Sequence, residues 1–200
     1  MTKKQQNKVV PKLRFPEFNE EWEKKTLGEV VDIRSGTSPS NYTLKQSGSY
    51  PYLKVEDLNN NNKYQVVSRE YTADTIGLIP EKSIIFPKRG AAIELNKVRL
   101  NIDKVAMDSN LMAITPTGDI NAEYLYYLIT IIGLYRIADL STIPQINNKH
   151  IIPFEVLIPR LKEQQKIADC LSSLDELIAT ENEKLDGLKT YKKGVSTPKS

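Results

Sequence analysis

The sequence predicts an α+β fold: a domain of short strands and helices, followed by one long coiled-coil-like C-terminal helix. Three observations predict it. Short apolar runs broken by Pro, Gly and Asn fill residues 12–159, the pattern of short strands separated by turns. Inside that region one stretch, starting at Asn121, carries apolar residues at helical spacing. Over residues 160–194 the period becomes seven, and Lys, Glu and Gln dominate. The expected organisation is a flexible basic N-terminus over 1–11, a mixed domain over 12–159, a long helix over 160–194 and a tail over 195–200.

Leu27 to Ile33 begins a helix or a strand and stops at Ser35-Gly36-Thr37-Ser38-Pro39, a loop signal. Tyr52-Leu53-Lys54-Val55 reads as a short strand running into four successive asparagines, Asn59 to Asn62, an exposed turn. Ser83-Ile84-Ile85-Phe86 reads as a buried strand ending at Pro87-Lys88-Arg89-Gly90. Lys97 and Arg99 fit a hairpin turn. Lys104 to Ile114 alternates and ends at Pro116, a further strand. Asn121 caps a helix with Tyr124, Leu125, Leu128, Ile129, Ile132, Tyr135 and Arg136. The Tyr124, Tyr126, Tyr127 and Tyr135 spacing favours core packing over base stacking. A polar loop follows from Ser141 to Lys149, and Ile151 to Ile158 is the last strand.

In the final segment Leu171, Ile178 and Leu185 fall on heptad position a; Ile167, Leu174, Glu181 and Leu188 fall on d. A helix from Leu161 to Lys192 would be roughly 48 Å long. One apolar seam cannot bury itself, so it calls for a partner helix, and Glu181 is a polar fault within it.

Hydrophobic residues at 40% and charged residues at 26% are an ordinary globular balance, sufficient for a core. The net charge of +3 is compatible with nucleic acid, and equally with many soluble enzymes. Lys3, Lys4, Lys8, Lys12 and Arg14, with no acid among them, read first as a solvated terminus and second as a phosphate contact. Cys170 and His150 are single, which excludes a disulfide within the chain and sites needing two of either residue. No apolar run approaches the roughly 20 residues of a membrane span. No apolar stretch follows the basic start as in a secretory signal, so a cytoplasmic protein is expected.

Enzyme motifs are missing. Ser49-Tyr50-Pro51-Tyr52 only loosely resembles the motif with which amino-methyltransferases hold a flipped base. There is no glycine-rich phosphate loop. Pro16-Glu17 with Glu23-Lys24-Lys25 is too compressed for a metal-dependent nuclease, and His150 has no evident acid or nucleophile partner. No catalytic or metal-ligating residue is predicted.

The segment Ile158-Pro159-Arg160-Leu161-Lys162-Glu163-Gln164-Gln165-Lys166-Ile167-Ala168 continues through Leu171, Leu174-Asp175, Ile178, Leu185 and Leu188-Lys189 to Lys192-Lys193-Gly194. It resembles the helix that follows a target-recognition domain in specificity subunits of Type I restriction–modification enzymes. Earlier blocks agree. Pro11 to Phe18 with Trp22 and Leu27-Gly28-Glu29, Ser35 to Pro39, and Tyr50 to Lys54 with Asp57-Leu58 are similar to the family's pattern. So are Gly77 to Pro80, Lys88-Arg89-Gly90 and Ser141 to Ile146.

The resemblance implies a sequence-specific DNA-binding subunit without catalysis, reading one half of a split site in double-stranded DNA. The helix would serve as spacer and as dock for methyltransferase subunits. S-adenosylmethionine, ATP and Mg would belong to the methyltransferase and the restriction (motor) subunits, with no cofactor in this chain. Members commonly carry two recognition domains and two such helices; this chain has one of each, as a half subunit would, and pairing of two copies through the helix is the expected substitute. After Gly194 it reads Val195-Ser196-Thr197-Pro198-Lys199-Ser200, where the family continues with large apolar residues; a truncated fragment is the other reading. A helix-mediated scaffold and a stand-alone methyltransferase or nuclease are the competing functions.

Base reading needs side chains that reach groove edges from loops on a rigid scaffold: Arg or Lys for guanine, Asn or Gln for adenine. Arg34, Lys54, Lys88, Arg89, Asn110, Gln145, Asn147, Asn148 and Lys149 are of those types, and Ser141, Thr142 and Lys149 suit phosphates. Each is also an ordinary solvated polar residue. The Lys88-Arg89-Gly90 loop ranks first, because glycine after a strand lets backbone approach DNA, and Ser141 to Lys149 ranks second. The partner or dimer face comprises Ile167, Leu171, Leu174, Ile178, Leu185 and Leu188.

Overall fold

A computed structural model describes residues 11–60 and 63–196. Lys3, Lys4 and Lys8, half of the asparagine run and residues 197–200 lie outside the described residues. In chain order the elements are β1 (Glu23–Thr26), α1 (Leu27–Val30), β2 (Val31–Ser35), β3 (Tyr50–Leu53), β4 (Tyr64–Gln65) and β5 (Glu70–Thr72). Then come β6 (Ile84–Pro87), α2 (Ala91–Glu94), β7 (Arg99–Asn101), β8 (Ala106–Met107) and β9 (Leu111–Pro116). The chain ends with α3 (Ala122–Ile132), α4 (Leu134–Ile137), α5 (Asn148–Ile151), β10 (Glu155–Ile158) and α6 (Leu161–Ser196). The fold is α+β with a long final helix, as the sequence predicts.

A central sheet has the order β2-β9-β6-β7-β4, antiparallel except for the β4–β7 pair. A smaller sheet, β5-β3-β8, and the β1–β10 ribbon flank it. Alternation along β6 and β9 divides the core. Ile84, Phe86, Met112 and Ile114 pack with Tyr124, Leu125 and Ile129 of α3. Ile85, Leu111 and Ala113 point the other way and join Leu53, Leu58, Ile79 and Met107. The central sheet is therefore covered on both faces, which is why β6 is apolar at successive positions instead of alternating.

Several boundaries differ from the sequence reading, each for a local reason. Leu27 to Ile33 is both helix and strand, changing at Val31. Lys104 to Ile114 is two strands, because Asp108 accepts from the backbone N–H groups of Asn110 and Leu111 and turns the chain. The helix capped by Asn121, whose side chain accepts from the Tyr124 N–H at 2.9 Å, stops at Ile132. There Gly133 takes φ +83°, a left-handed value that breaks the helix before Tyr135 and Arg136. Tyr124, Tyr126 and Tyr127 are core residues as expected, but Tyr135 is exposed. Arg99 is not in a turn. It lies in β7, buried, with its guanidinium donating to the Val98 and Leu58 carbonyls. Ile151 belongs to α5, not to the last strand, which begins at Glu155.

The start of α6 is fastened by the three residues Glu163-Gln164-Gln165. Glu163 is buried and takes two hydrogen bonds from Arg14, each 2.7 Å. Gln164, also buried, accepts from the Asn121 N–H and donates to the Asp119 and Pro159 carbonyls. Gln165 accepts from the Asn121 side chain at 2.7 Å. Ala168 then packs into the core, and α6 lies against α3. A helix of 36 residues is about 54 Å long, so most of it runs clear of the domain.

Candidate nucleic-acid interface

The strand ends of the central sheet bring the first-ranked loop and the Asp108–Asn110 turn together. Ser35 is paired with Met112 and Pro87 with Leu111, so the end of β2, the end of β6 and the start of β9 share one edge. Past that edge the Lys88 N–H donates to the Asn110 carbonyl at 2.7 Å, and Gly36 N–H donates to Leu111. The Asp108 N–H donates to the Leu53 carbonyl, which brings Lys54 to the same turn.

The second-ranked loop joins this edge through backbone pairing with the first. Gly90 N–H donates to the Pro144 carbonyl and Ile146 N–H to the Lys88 carbonyl, each at 2.9 Å, and Arg89 faces Gln145 across this short ladder. Gln145 is also doubly bonded to Asp139, at 2.9 and 3.0 Å, which closes residues 139–145 into a tight loop. The Asp139 carboxylate accepts from the Ser141 N–H at 3.0 Å. That bond holds its pKa below the ordinary carboxylate range, helped by the Ser141 hydroxyl and the positive charge of Lys149.

The candidates differ in freedom. Arg89, Asn110, Ser141, Thr142, Asn148 and Lys149 are exposed; Lys88, Gln145 and Asn147 are half-buried. Neither Lys88 nor Arg89 has an ion-pair partner among the described residues. Lys54 is engaged: its ammonium is bonded to Glu70, which raises its pKa. Arg34 is exposed and donates to the Leu78 carbonyl at 3.2 Å. Asn110 turns its side-chain amide to Asp108 at 2.7 Å. The Asn147 N–H donates to His150 Nδ1 at 3.1 Å, so the single histidine caps α5. Leu140 and Ile143 stand exposed on the 139–145 loop, at 53% and 66%. Neither belongs to the polar types that pair with bases, and their signal in the sequence is apolar character inside a polar loop.

The apolar seam of α6 divides in two. Ile167 and Leu171 are half-buried against the chain's own domain, where they line a cleft of about 380 Å³ with Leu13, Phe15 and Trp22. Leu174, Ile178, Leu185 and Leu188 are about half exposed or more. The expectation of an exposed seam is therefore met only from Leu174 onward, and Ile167 and Leu171 already pack against the chain's own domain. Among the described residues no cluster of His, Cys, Asp and Glu is suited to a metal ion, and no helix is long and apolar enough to cross a membrane.

A family model described as the Type I restriction modification DNA specificity domain matches residues 19–190. The chain is 26% identical over 190 residues to the EcoR124I/EcoR124II specificity subunit of Escherichia coli, covering 88% of this chain and 46% of that one. It is 28% identical over 174 residues to the MjaIX specificity subunit of Methanocaldococcus jannaschii, covering 82% and 40%. It thus spans less than half the length of these relatives. Among solved structures, a chain from a study of assembly and conformational transition in the type I R-M system superposes with a TM-score of 0.73 at 18% identity, covering 94% of this chain and 46% of that one. The HsdS subunit from Thermoanaerobacter tengcongensis superposes with a TM-score of 0.63 at 19% identity, covering 86% and 41%.

Proposed function

The chain belongs to the Type I restriction–modification DNA specificity domain family, and from that membership we propose that it reads one half of a split site in double-stranded DNA for methyltransferase and restriction subunits. The observation that carries the reading to particular residues is the ladder joining Lys88-Arg89-Gly90 to Pro144-Gln145-Ile146. It sets two cations, which have no ion-pair partner among the described residues, beside an amide side chain on a sheet-anchored scaffold. Cations fix phosphate register or pair with guanine, and Gln145 has the donor and acceptor that adenine requires. Ser141, Thr142, Asn147 and Lys149 extend the surface; Asn110 joins it at the turn. Arg34 and Lys54 are secondary contacts, since each already serves another group.

The chain supplies recognition, and S-adenosylmethionine, ATP and Mg act in the partner subunits, in the cytoplasm. The exposed seam from Leu174 to Leu188 takes a helix of a second copy or of a methyltransferase subunit. Two copies paired about a two-fold axis would carry identical readers at opposite ends of the helical rod and select an interrupted inverted repeat.

Purified chain mixed with a random duplex library, with and without methyltransferase subunits, tests the reading. Enrichment of one sequence, and adenine methylation at that sequence only when chain and methyl donor are both present, is the expected result. Uniform binding of all duplexes, with methylation unaffected by the chain, would overturn it.

A further inference from the structure

The loop closed by Asp139 and Gln145 carries two aliphatic side chains outward, Leu140 at 53% and Ile143 at 66% exposure. The base of the loop is held on both sides. Asp139 and Gln145 exchange two backbone hydrogen bonds, and Gly90 N–H bonds the Pro144 carbonyl next to Ile143. The Asp139 carboxylate folds back onto the Ser141 N–H, so the one acid of the loop is turned to its own backbone. The flanking charges, Arg89 on the paired loop and exposed Lys149 beyond it, are positive. An apolar tip on an anchored loop, flanked by cations, fits a surface that is anionic at its rims and presents apolar groups between them. The DNA major groove is such a surface: phosphates line it, and its only apolar projection is the 5-methyl group of thymine.

We propose that Leu140 and Ile143 read thymine by contacting its 5-methyl group, beside the polar contacts of Lys88, Arg89 and Gln145. This rests on the DNA-reading function proposed above and adds a base preference to it. Burying one methyl is worth about 0.8 kcal/mol, or about fourfold in affinity, per thymine.

Deoxyuridine, which lacks only that methyl, is the probe. Each thymine of the enriched duplex is replaced in turn, and binding is measured for the chain with its methyltransferase subunits, as wild type, Leu140→Ala and Ile143→Ala. The expected result is about fourfold weaker wild-type binding at one or two positions, and equal binding of thymine and deoxyuridine duplexes there by one of the variants. Indifference of the wild type to every replacement, or an undiminished thymine preference in both variants, would overturn the proposal while leaving sequence-specific binding in place. Weakened association of the variants with methyltransferase subunits, with thymine preference intact, would also overturn it by making the tip a protein contact. Failure to enrich any sequence is a different result: it removes the DNA reading itself, and this proposal with it. Both tips are exposed, so thermal melting of the variants should match wild type.

Discussion

Tyr127 donates its phenol proton to the Asp175 carboxylate at 2.7 Å and so ties α3 to the second turn-pair of α6. Lys63 reinforces this point, donating to Ser172 at 2.7 Å and to Tyr127 at 3.2 Å while its ammonium sits 4.5 Å from the Tyr127 ring centre. The direction in which the long helix leaves the domain is thus set by polar side chains together with Ala168 in the core.

Tyr127→Phe keeps the ring in the core and removes that bond. It should cost about 1.5 kcal/mol, the lower range for a hydrogen bond to a charged group, since Asp175 is itself exposed. Chemical denaturation of Tyr127→Phe, Asp175→Asn and the double variant checks it; the double variant should cost less than the sum of the two singles.

Burial pushes the Tyr52, Tyr124 and Tyr127 phenols well above their ordinary range. A raised folded-state pKa gives stability that is present below the unfolded value of about 10 and is lost as pH rises above it. Stability should therefore fall above about pH 10, by about 1.4 kcal/mol per pH unit for each phenol freed on unfolding. Phenolate absorbance and circular dichroism followed together check this: these three phenols should ionise only as the dichroism collapses.

Gly36 lies against the turn that organises the candidate interface. A Cβ there would stand 2.0 Å from the Asp108 carbonyl oxygen and 2.6 Å from that of Met107. Backbone cannot yield as a flexible side chain does, so Gly36→Ala should cost about 3 kcal/mol, the upper end for overpacking. Thermal melting measures the loss.

Leu174→Glu with Ile178→Glu should leave the monomer's stability unchanged, because both side chains are about half exposed or more. Association should disappear, since pairing would then bury unpaired carboxylates. Light scattering of wild type and variant across concentration decides it; a wild type that stays monomeric, even with methyltransferase subunits, would remove the paired-copy arrangement.

The strongest local signals were legible in the sequence. Four buried residues mark β6, Asn121 marks the start of α3, and the change to a seven-residue period marks α6. β1 and β7 were not legible. Glu23-Lys24-Lys25 is wholly polar and forms a ribbon with β10 through backbone pairing and the Lys24–Glu155 ion pair, and Arg99 is buried because two carbonyls receive it. For the candidate site, the residue types were readable and their meeting was not. Lys88 and Ile146 lie far apart in the chain and are joined by one backbone hydrogen bond, which no spacing rule encodes. The roles of Glu163 and Gln164 in fastening α6 were hidden likewise, since their partners Arg14 and Asp119 are distant in sequence.

Lys88→Ala with Arg89→Ala should weaken DNA binding without unfolding the domain, as both side chains lack ion-pair partners among the described residues. A phosphate contact would lower affinity on every sequence and reduce the salt slope by about one unit; a base contact would cost about 1–3 kcal/mol on the selected sequence alone. Titrations at several salt concentrations separate the two.

The most direct test of the account is the map of methylated adenines on DNA exposed to methyltransferase subunits with wild-type chain and with chain altered at Lys88, Arg89 and Gln145. Methylation at one defined sequence by wild type, and loss or change of that sequence in the altered chain while its fold and its association with the methyltransferase persist, is the predicted result. An identical methylated sequence for both would contradict it and place the reading surface elsewhere on the domain.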